Sequence, residues 1–373
     1  MHDATDWIDR RRFLAGASTA GVAGLAGCSG LIGGDSGEDA SGAVGQIGSG
    51  RSGRGAPGGT SMDEMPALSG ELTVYSGRGE FLVGDLVSYI DDQYDDLSLS
   101  VRYGGSTDHV NKITNEGDGS AADVFYSVNA GALAALAAEG RTQALPGEVR
   151  EMVREEFRTE QWVGTSGRAR SIPYNTDALA ASDLPSDVMA YPDVDARLGW
   201  APGYGSCQAF VTAMRLLEGE AATLEWLEGV TAAGIQQYNN EFAVCRAIAN
   251  GDLDAGFTNH YYIQRVLDGS PEAPIATTFT AGDAGAMFNV AGAAVVDTAS
   301  DPDLAANFVR HLLSAEAQDY FARSTFEYPL IPDVDPIGDL PTVDELDVPD
   351  VDLSRLSELE PTIDLMREAG VEI

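Results

Sequence analysis

Strand-like and helix-like segments alternate along most of this chain, and that alternation implies parallel sheets with helices on both faces. Residues 71–75 read as a buried strand, after which 76–80 turn into a helix carrying Phe81, Leu82, Leu86, Val87 and Ile90 at helical spacing. Residues 97–101 and 123–127 are two further strands, the second leading into the alanine-rich helix 130–139. Residues 197–200 form a strand that precedes a glycine-rich loop at 203–207 and a helix reaching Leu217, with another helix over 222–230. A strand at 251–257 runs into Thr258-Asn259-His260-Tyr261-Tyr262, and 291–296 is followed by a helix over 304–313. In sheets of this kind ligands settle outside the carboxyl ends of the strands, where the first N–H groups of the next helix are exposed. Arg78, Ser127, Asn129, the segment 204–206 and the segment 259–262 all follow strands.

The adjacent phenols Tyr261 and Tyr262 stand at such a handover. On a strand, neighbours point to opposite faces, but at a strand-to-helix turn both can aim at one point. A hard cation such as ferric iron suits two phenol oxygens, because binding removes protons otherwise lost only near pH ~10. The alternative is that both rings pack between helix and sheet. Helix N-termini favour an anion and phenols favour a cation, so a hard metal held with a small anion satisfies both.

The rest of the composition narrows the function. Asp and Glu total 59 against 22 basic residues, a formal net charge of -37, and Lys112 is the only lysine. Such a chain repels phosphate backbones, which excludes nucleic acid as a partner. Self-repulsion of this size is tolerated best where salt shortens the screening length to ~3 Å, which points to a saline, halophilic habitat rather than to a particular partner. The four histidines form no cluster and the cysteines lack metal-ligand spacing, so zinc is not expected. No nucleophile motif and no phosphate-binding loop is present, and Gly203-Tyr204-Gly205-Ser206-Cys207 lacks the lysine of such a loop. The chain is therefore not read as an enzyme.

Residues 1–28 have the layout of an export address. Arg10-Arg11-Arg12-Phe13-Leu14 followed by a weakly apolar stretch matches a twin-arginine signal, too short for a stable membrane span. It closes with Leu25-Ala26-Gly27-Cys28, which resembles a lipobox and makes Cys28 the expected lipid attachment point, although a spare cysteine would also fit. Residues 29–66, dominated by Gly, Ser, Asp and Ala, form an expected disordered tether with an r.m.s. span of roughly 30 to 40 Å. The protein is then a soluble domain leashed to the outer face of the cytoplasmic membrane. Cys207 and Cys245 are left as a disulfide or as two thiols, since sequence does not give their separation.

From about residue 71 to 334 the chain resembles the ferric-iron-binding substrate-binding proteins of ABC transporters. The segments that carry the resemblance are LTVYSGRGE (72–80), ADVFYSVNAGALAAL (122–136), SGRARSIPYNTDAL (166–179), LGWAPGYGSCQAFVTA (198–213), ANGDLDAGFTNHYY (249–262), AGDAGAMFNVAGAAVV (281–296) and FEYPLIPDV (326–334). The resemblance implies an α/β fold: a two-lobed, periplasmic-binding-protein-like clamp of type II, with parallel-rich sheets flanked by helices and a hinge. Lobe 1 would comprise 67–167 plus 285–333, and lobe 2 would comprise 168–284 plus 334–373. Tyr261 and Tyr262 fall on the family's paired iron ligands, and Tyr204 on the third tyrosine of the branch that lacks a histidine ligand. Where histidine-using members carry His and Glu, this chain has Ser76-Gly77-Arg78-Gly79 and Val128.

On the same resemblance Arg78 and Arg168 would neutralise carbonate or a similar small anion, and Gly205 and Ser206 would donate to it. Asn129 and Asn259 are candidates for orienting these groups. Each has an ordinary alternative: the arginines pair with surplus carboxylates, and the asparagines cap helices. Asn239-Asn240-Glu241-Phe242 departs from the family pattern by one apparent extra residue. The implied function is capture of ferric iron by a monomer and delivery to an ABC permease with its ATPase. Relatives on similar scaffolds bind thiamine or polyamines, so a different small solute is the alternative.

Overall fold

The computed structural model describes residues 57–373. The export signal, Cys28 and the tether up to residue 56 lie outside the described residues. In chain order the elements are β1 (Gly70–Ser76), α1 (Glu80–Gln93), β2 (Leu97–Tyr103), α2 (Ser106–Glu116), β3 (Val124–Ser127), α3 (Ala130–Ala138) and α4 (Gly147–Arg150). They continue with β4 (Val163–Asn175), β5 (Leu198–Trp200), α5 (Gly205–Glu218), α6 (Glu220–Ala232), β6 (Gln236–Gln237), α7 (Glu241–Ala249), β7 (Ala255–Gly256) and β8 (Thr258–Asn259). The last group is α8 (His260–Gly269), β9 (Ile275–Thr278), β10 (Phe288–Val295), α9 (Pro302–His311), α10 (Ala315–Tyr320), β11 (Tyr328–Pro329) and α11 (Leu359–Glu368).

The strands join in the order β2-β1-β3-β10-β4-β7-β5-β6, with β8, β9 and β11 also paired to β4. The two ends of this path are parallel, as alternation with helices requires: β1 with β2 and β3, and β5 with β6 and β7. The middle is antiparallel, because β10 runs against both β3 and β4, and β4 runs against β7, β8, β9 and β11. The fold is thus α/β with a mixed sheet flanked by helices, and its antiparallel middle departs from the parallel sheets that the alternation implies. Only Ala255–Gly256 of the strand expected at 251–257 enters a ladder; a turn occupies the residues before it.

Strand β4 organises the molecule, and the sequence reading does not include it. Its first half pairs with β10 and β11, its second half with β8, β7 and β9. The apolar side chains divide accordingly. Val163 and Ala169 belong to a core with Val74, Phe125, Leu133, Phe288 and Phe308, whereas Ile172 belongs to one with Trp200, Phe210, Trp226 and Phe257. A smaller cluster gathers Val244, Ile248, Leu253 and Ile263 with Tyr261 and Tyr262. Among the described residues no helix is long and apolar enough to cross a membrane.

Residues 60–65 correct the expected tether of 29–66. The Thr60 carbonyl accepts from Ala315 N, Ser61 Oγ donates to Glu316 Oε1 at 2.6 Å, and Met62 is buried in the first core. The glycine-rich composition hides this anchor, since one methionine and two hydrogen-bonding residues make no periodic apolar pattern.

Candidate functional site

Three turns bring the expected residues together. Tyr204 is the N-cap of α5, presented by the loop after β5, where Gly205 meets no neighbour that a side chain would strike. Asn259 is the N-cap of α8, and Tyr261 and Tyr262 occupy its first turn. Asn129 caps α3 after β3. These turns open onto a cavity of about 610 Å³, which Arg168, Met287, Asn289 and Glu327 also line.

The phenols converge. Tyr204 Oη lies 2.7 Å from Tyr262 Oη, and the rings of Tyr261 and Tyr262 are 4.3 Å apart at 45°. Asn259 Nδ2 donates to Tyr261 Oη at 3.4 Å, and its side chain makes no helix cap. Arg265, one helical turn on, holds its guanidinium carbon 5.0 Å from the Tyr261 ring and 5.4 Å from the Tyr262 ring. Burial pushes the Tyr262 phenol well above its ordinary range, with Tyr261 and Tyr204 adding to the effect. Burial and Glu241 likewise raise Tyr261 against the opposing pull of Arg168. Without a cation both are therefore neutral at physiological pH. Among the described residues no group of three or more His, Cys, Asp or Glu could hold a metal ion.

Tyr204, Gly205, Ser206, Asn129, Asn259, Arg168, Tyr261 and Tyr262 all line the one cavity. Several have part of their bonding capacity committed elsewhere. Asn129 Oδ1 accepts from Ala132 N at 2.8 Å, which is the capping role, and Ser206 Oγ donates to Glu241 Oε1 at 2.6 Å. Arg168 donates Nη2 to the Val128 carbonyl. Asn240, where the family pattern is broken, caps α7 by accepting from Ala243 N at 2.9 Å.

Arg78 is the exception among the expected residues. It does not line the cavity: it is fully buried, donating Nη1 to Ser166 Oγ and Nη2 to Glu327 Oε2, both at 2.6 Å. Its charge is spent on a carboxylate, the alternative open from composition alone. Burial raises the Glu327 carboxyl, but Arg78, Arg168 and the bonds from Arg78 and Ser166 outweigh it and hold the group below the ordinary carboxylate range. Cys207 and Cys245 are both buried free thiols, pushed up to about 12 chiefly by burial.

Sequence reasoning missed Arg265, Asn289, Glu327 and the buried pair Arg170–Glu241. Arg265 had a usable signal, since positions three and four residues after the tyrosine pair share its helix face. The acids had none, because nothing distinguishes two among 59.

Known proteins align with this geometry. The family model for bacterial extracellular solute-binding proteins matches residues 72–327. The major ferric iron-binding protein of Neisseria meningitidis is 31% identical over 82% of this chain and 95% of its own length. Iron uptake protein A2 of Synechocystis is 31% identical over 70% of this chain and 80% of its own. The crystal structure of iron-bound HitA from Pseudomonas aeruginosa superposes with a TM-score of 0.70 at 29% identity, covering 82% of this chain and all of that one. The chain belongs to the bacterial extracellular solute-binding proteins, a family of binders rather than enzymes, on the side that includes the ferric-iron-binding periplasmic proteins.

Proposed function

We propose that this protein captures ferric iron with Tyr204, Tyr261 and Tyr262, together with carbonate or a similar small anion, and passes it to an ABC permease. The observation that carries the reading is the 2.7 Å approach of Tyr204 Oη to Tyr262 Oη beside Tyr261 in a shared cavity. Two phenol oxygens from sequence-distant turns meet there, and ring packing alone does not require that. The names of the relatives point the same way.

Three phenolates and a divalent anion carry more negative charge than a trivalent cation neutralises, and Arg168 and Arg265 at the cavity wall offset the excess. The backbone N–H groups of Gly205 and Ser206 and the Asn129 amide supply donors toward the anion, and Asn259 orients Tyr261. The two halves of the molecule act as lobes, 67–167 with 285–333 and 168–284 with 334–373, hinged where β4 crosses between the cores. Cargo bridging both favours the closed state. Export through the twin-arginine signal, anchorage by Cys28 and a saline habitat complete the reading, with the chain working as a monomer on the outer face of the membrane.

The test is to load the purified protein with ferric salt in bicarbonate and record the visible spectrum of the wild type, Tyr204→Phe and Tyr261→Phe. Iron–phenolate charge transfer colours the wild type, and each substitution removes or shifts the band. Spectra identical in all three proteins would reduce these tyrosines to packing. A colourless protein stabilised by thiamine or a polyamine would transfer the site to another solute.

A further inference from the structure

A single carboxylate, buried outside the cavity, joins the two turns that carry the phenols. Glu241 is the first residue of α7 and is fully buried. Its Oε1 accepts from Ser206 Oγ at 2.6 Å and from Arg170 Nη1. Its Oε2 accepts from the backbone N–H of Asn259 at 2.9 Å. Ser206 is two residues after Tyr204, and Asn259 is two residues before Tyr261. Arg170 completes the tie by donating Nη2 to the Phe257 carbonyl at 2.7 Å, between β7 and β8 and just before the tyrosine turn. Four segments far apart in sequence are thus pinned to one ion pair from which solvent is excluded.

We propose that Glu241 is a positioning residue: it sets the Tyr204 turn against the Tyr261–Tyr262 turn, so that the phenols are already convergent when cargo arrives. The inference rests on the phenols being the cargo's ligands. The physical ground is the chemistry of the tie. Hydrogen bonds to a carboxylate in low-dielectric surroundings are short and strongly directional. A carboxylate can accept from both turns and from Arg170 at once, because both of its oxygens accept. An amide cannot, since its nitrogen only donates and would meet the N–H of Asn259 or the donors on the opposite side. The direct contact between Tyr204 and Tyr262 does not replace the tie, because cargo that removes the phenol protons also removes that hydrogen bond. After deprotonation the oxygens repel one another, and the backbone of the two turns has to hold them together until the cation compensates. Glu241 grips that backbone and the adjacent hydroxyl rather than the phenols, so the grip persists through binding.

The test uses the full chain as Glu241→Gln and as the pair Glu241→Gln/Arg170→Met, titrated with ferric iron against citrate in bicarbonate. Visible spectra and thermal melting are followed in parallel. The single variant is expected to melt lower because Arg170 is left buried without its partner. The double variant removes that charge and recovers most of the stability. Both are expected to bind iron about 10–100-fold more weakly than wild type, with a displaced or weakened charge-transfer band. The inference is overturned if the double variant regains wild-type affinity and band position along with stability, since Glu241 would then serve folding alone. If the single variant does not fold, the double variant decides by itself. A wild-type protein that stays colourless with iron removes the ligand assignment and this inference together, whereas a coloured wild type with unaltered variants removes only the inference.

Discussion

Replacing Arg78 with methionine separates its structural role from the anion-binding role its position in the chain suggests. The guanidinium is fully buried between Ser166 and Glu327, with its carbon 5.7 Å from the Tyr126 ring and 5.5 Å from the Phe321 ring. Methionine keeps much of the stem's packing and deletes the charge. Glu327 then retains the hydrogen bonds from Ser166 at 2.8 Å and Thr325 at 3.1 Å but loses its ion partner. Breaking one side of a buried pair costs about 3–5 kcal/mol, and the two surviving bonds put the expected loss near the lower end, at ~3 kcal/mol.

The pH dependence has a definite sign. In the wild type Glu327 is held below its ordinary range, so its contribution is present above the unfolded carboxylate value and is lost as pH falls through the folded one. Without Arg78 the largest opposing charge is gone and burial drives the group upward, against Arg168 and the remaining bond from Ser166. The deficit of the variant is then largest near neutrality and shrinks as pH drops toward ~5, by up to about 1.4 kcal/mol per pH unit. Urea unfolding at fixed high salt across this range measures it. Arg78→Met/Glu327→Leu should return to within about 1 kcal/mol of wild type. A loss under about 1 kcal/mol in the single variant, or one independent of pH, would refute the reasoning. Iron binding that loses its dependence on bicarbonate in Arg78→Met would restore the anion role that the burial of Arg78 denies.

Other outcomes follow from the same geometry. Asn259→Ala removes the donor to Tyr261 and should weaken iron binding about 10-fold in a citrate competition, without changing the number of irons bound. Arg265→Leu should lower iron affinity by roughly tenfold, the discounted effect of one charge 5.0 Å from a phenolate ring, while unfolding free energy changes by less than about 1 kcal/mol. Cys207 and Cys245 should resist a thiol reagent in the native state and both react after unfolding, since burial pushes each up to about 12. Met62→Ala should cost about 2–4 kcal/mol in urea unfolding if residues 60–65 are docked as an anchor, and close to nothing if they belong to a free tether.

Elements with a continuous apolar stripe were legible in the sequence, and β4 was not. Segments such as Val124–Ser127 are buried on both faces and read as strands from their side chains alone. β4 carries Gly164, Ser166, Gly167, Arg168 and Arg170, a composition that resembles a loop. The structure explains it: a Cβ on Gly167 would come within 2.1 Å of Phe288, and one on Gly164 within 2.7 Å of Leu330, so neighbouring side chains fill what would be the strand's own surface. Its arginines are at home because each has an assigned partner, Glu241 for Arg170 and the Val128 carbonyl for Arg168. The same logic divides the site. Phenols at a strand-to-helix turn and a tyrosine in a glycine loop are rare enough to announce themselves, whereas the acids that orient them are hidden in an acidic chain.

That concealment follows from how the chain uses its charges. Carboxylates on the surface are screened by salt, and exposed ion pairs contribute little to stability. Glu241 and Glu327 are each removed from solvent beside an arginine that is itself fully buried, where screening is weak and an unmatched charge is costly. Both pairs bracket the cavity, one tying the tyrosine turns and the other fixing the segment after Thr325, where Phe326 adopts a left-handed conformation just before Glu327. A left-handed conformation at a bulky residue persists only when its surroundings hold it. Here His260 Nε2 meets the Phe326 carbonyl at 2.8 Å, so the residue before the tyrosine pair holds the Glu327 segment in place. Few cations in an acidic protein thus suffice to organise a site, provided that they are placed in the interior, where each one fixes more than one segment.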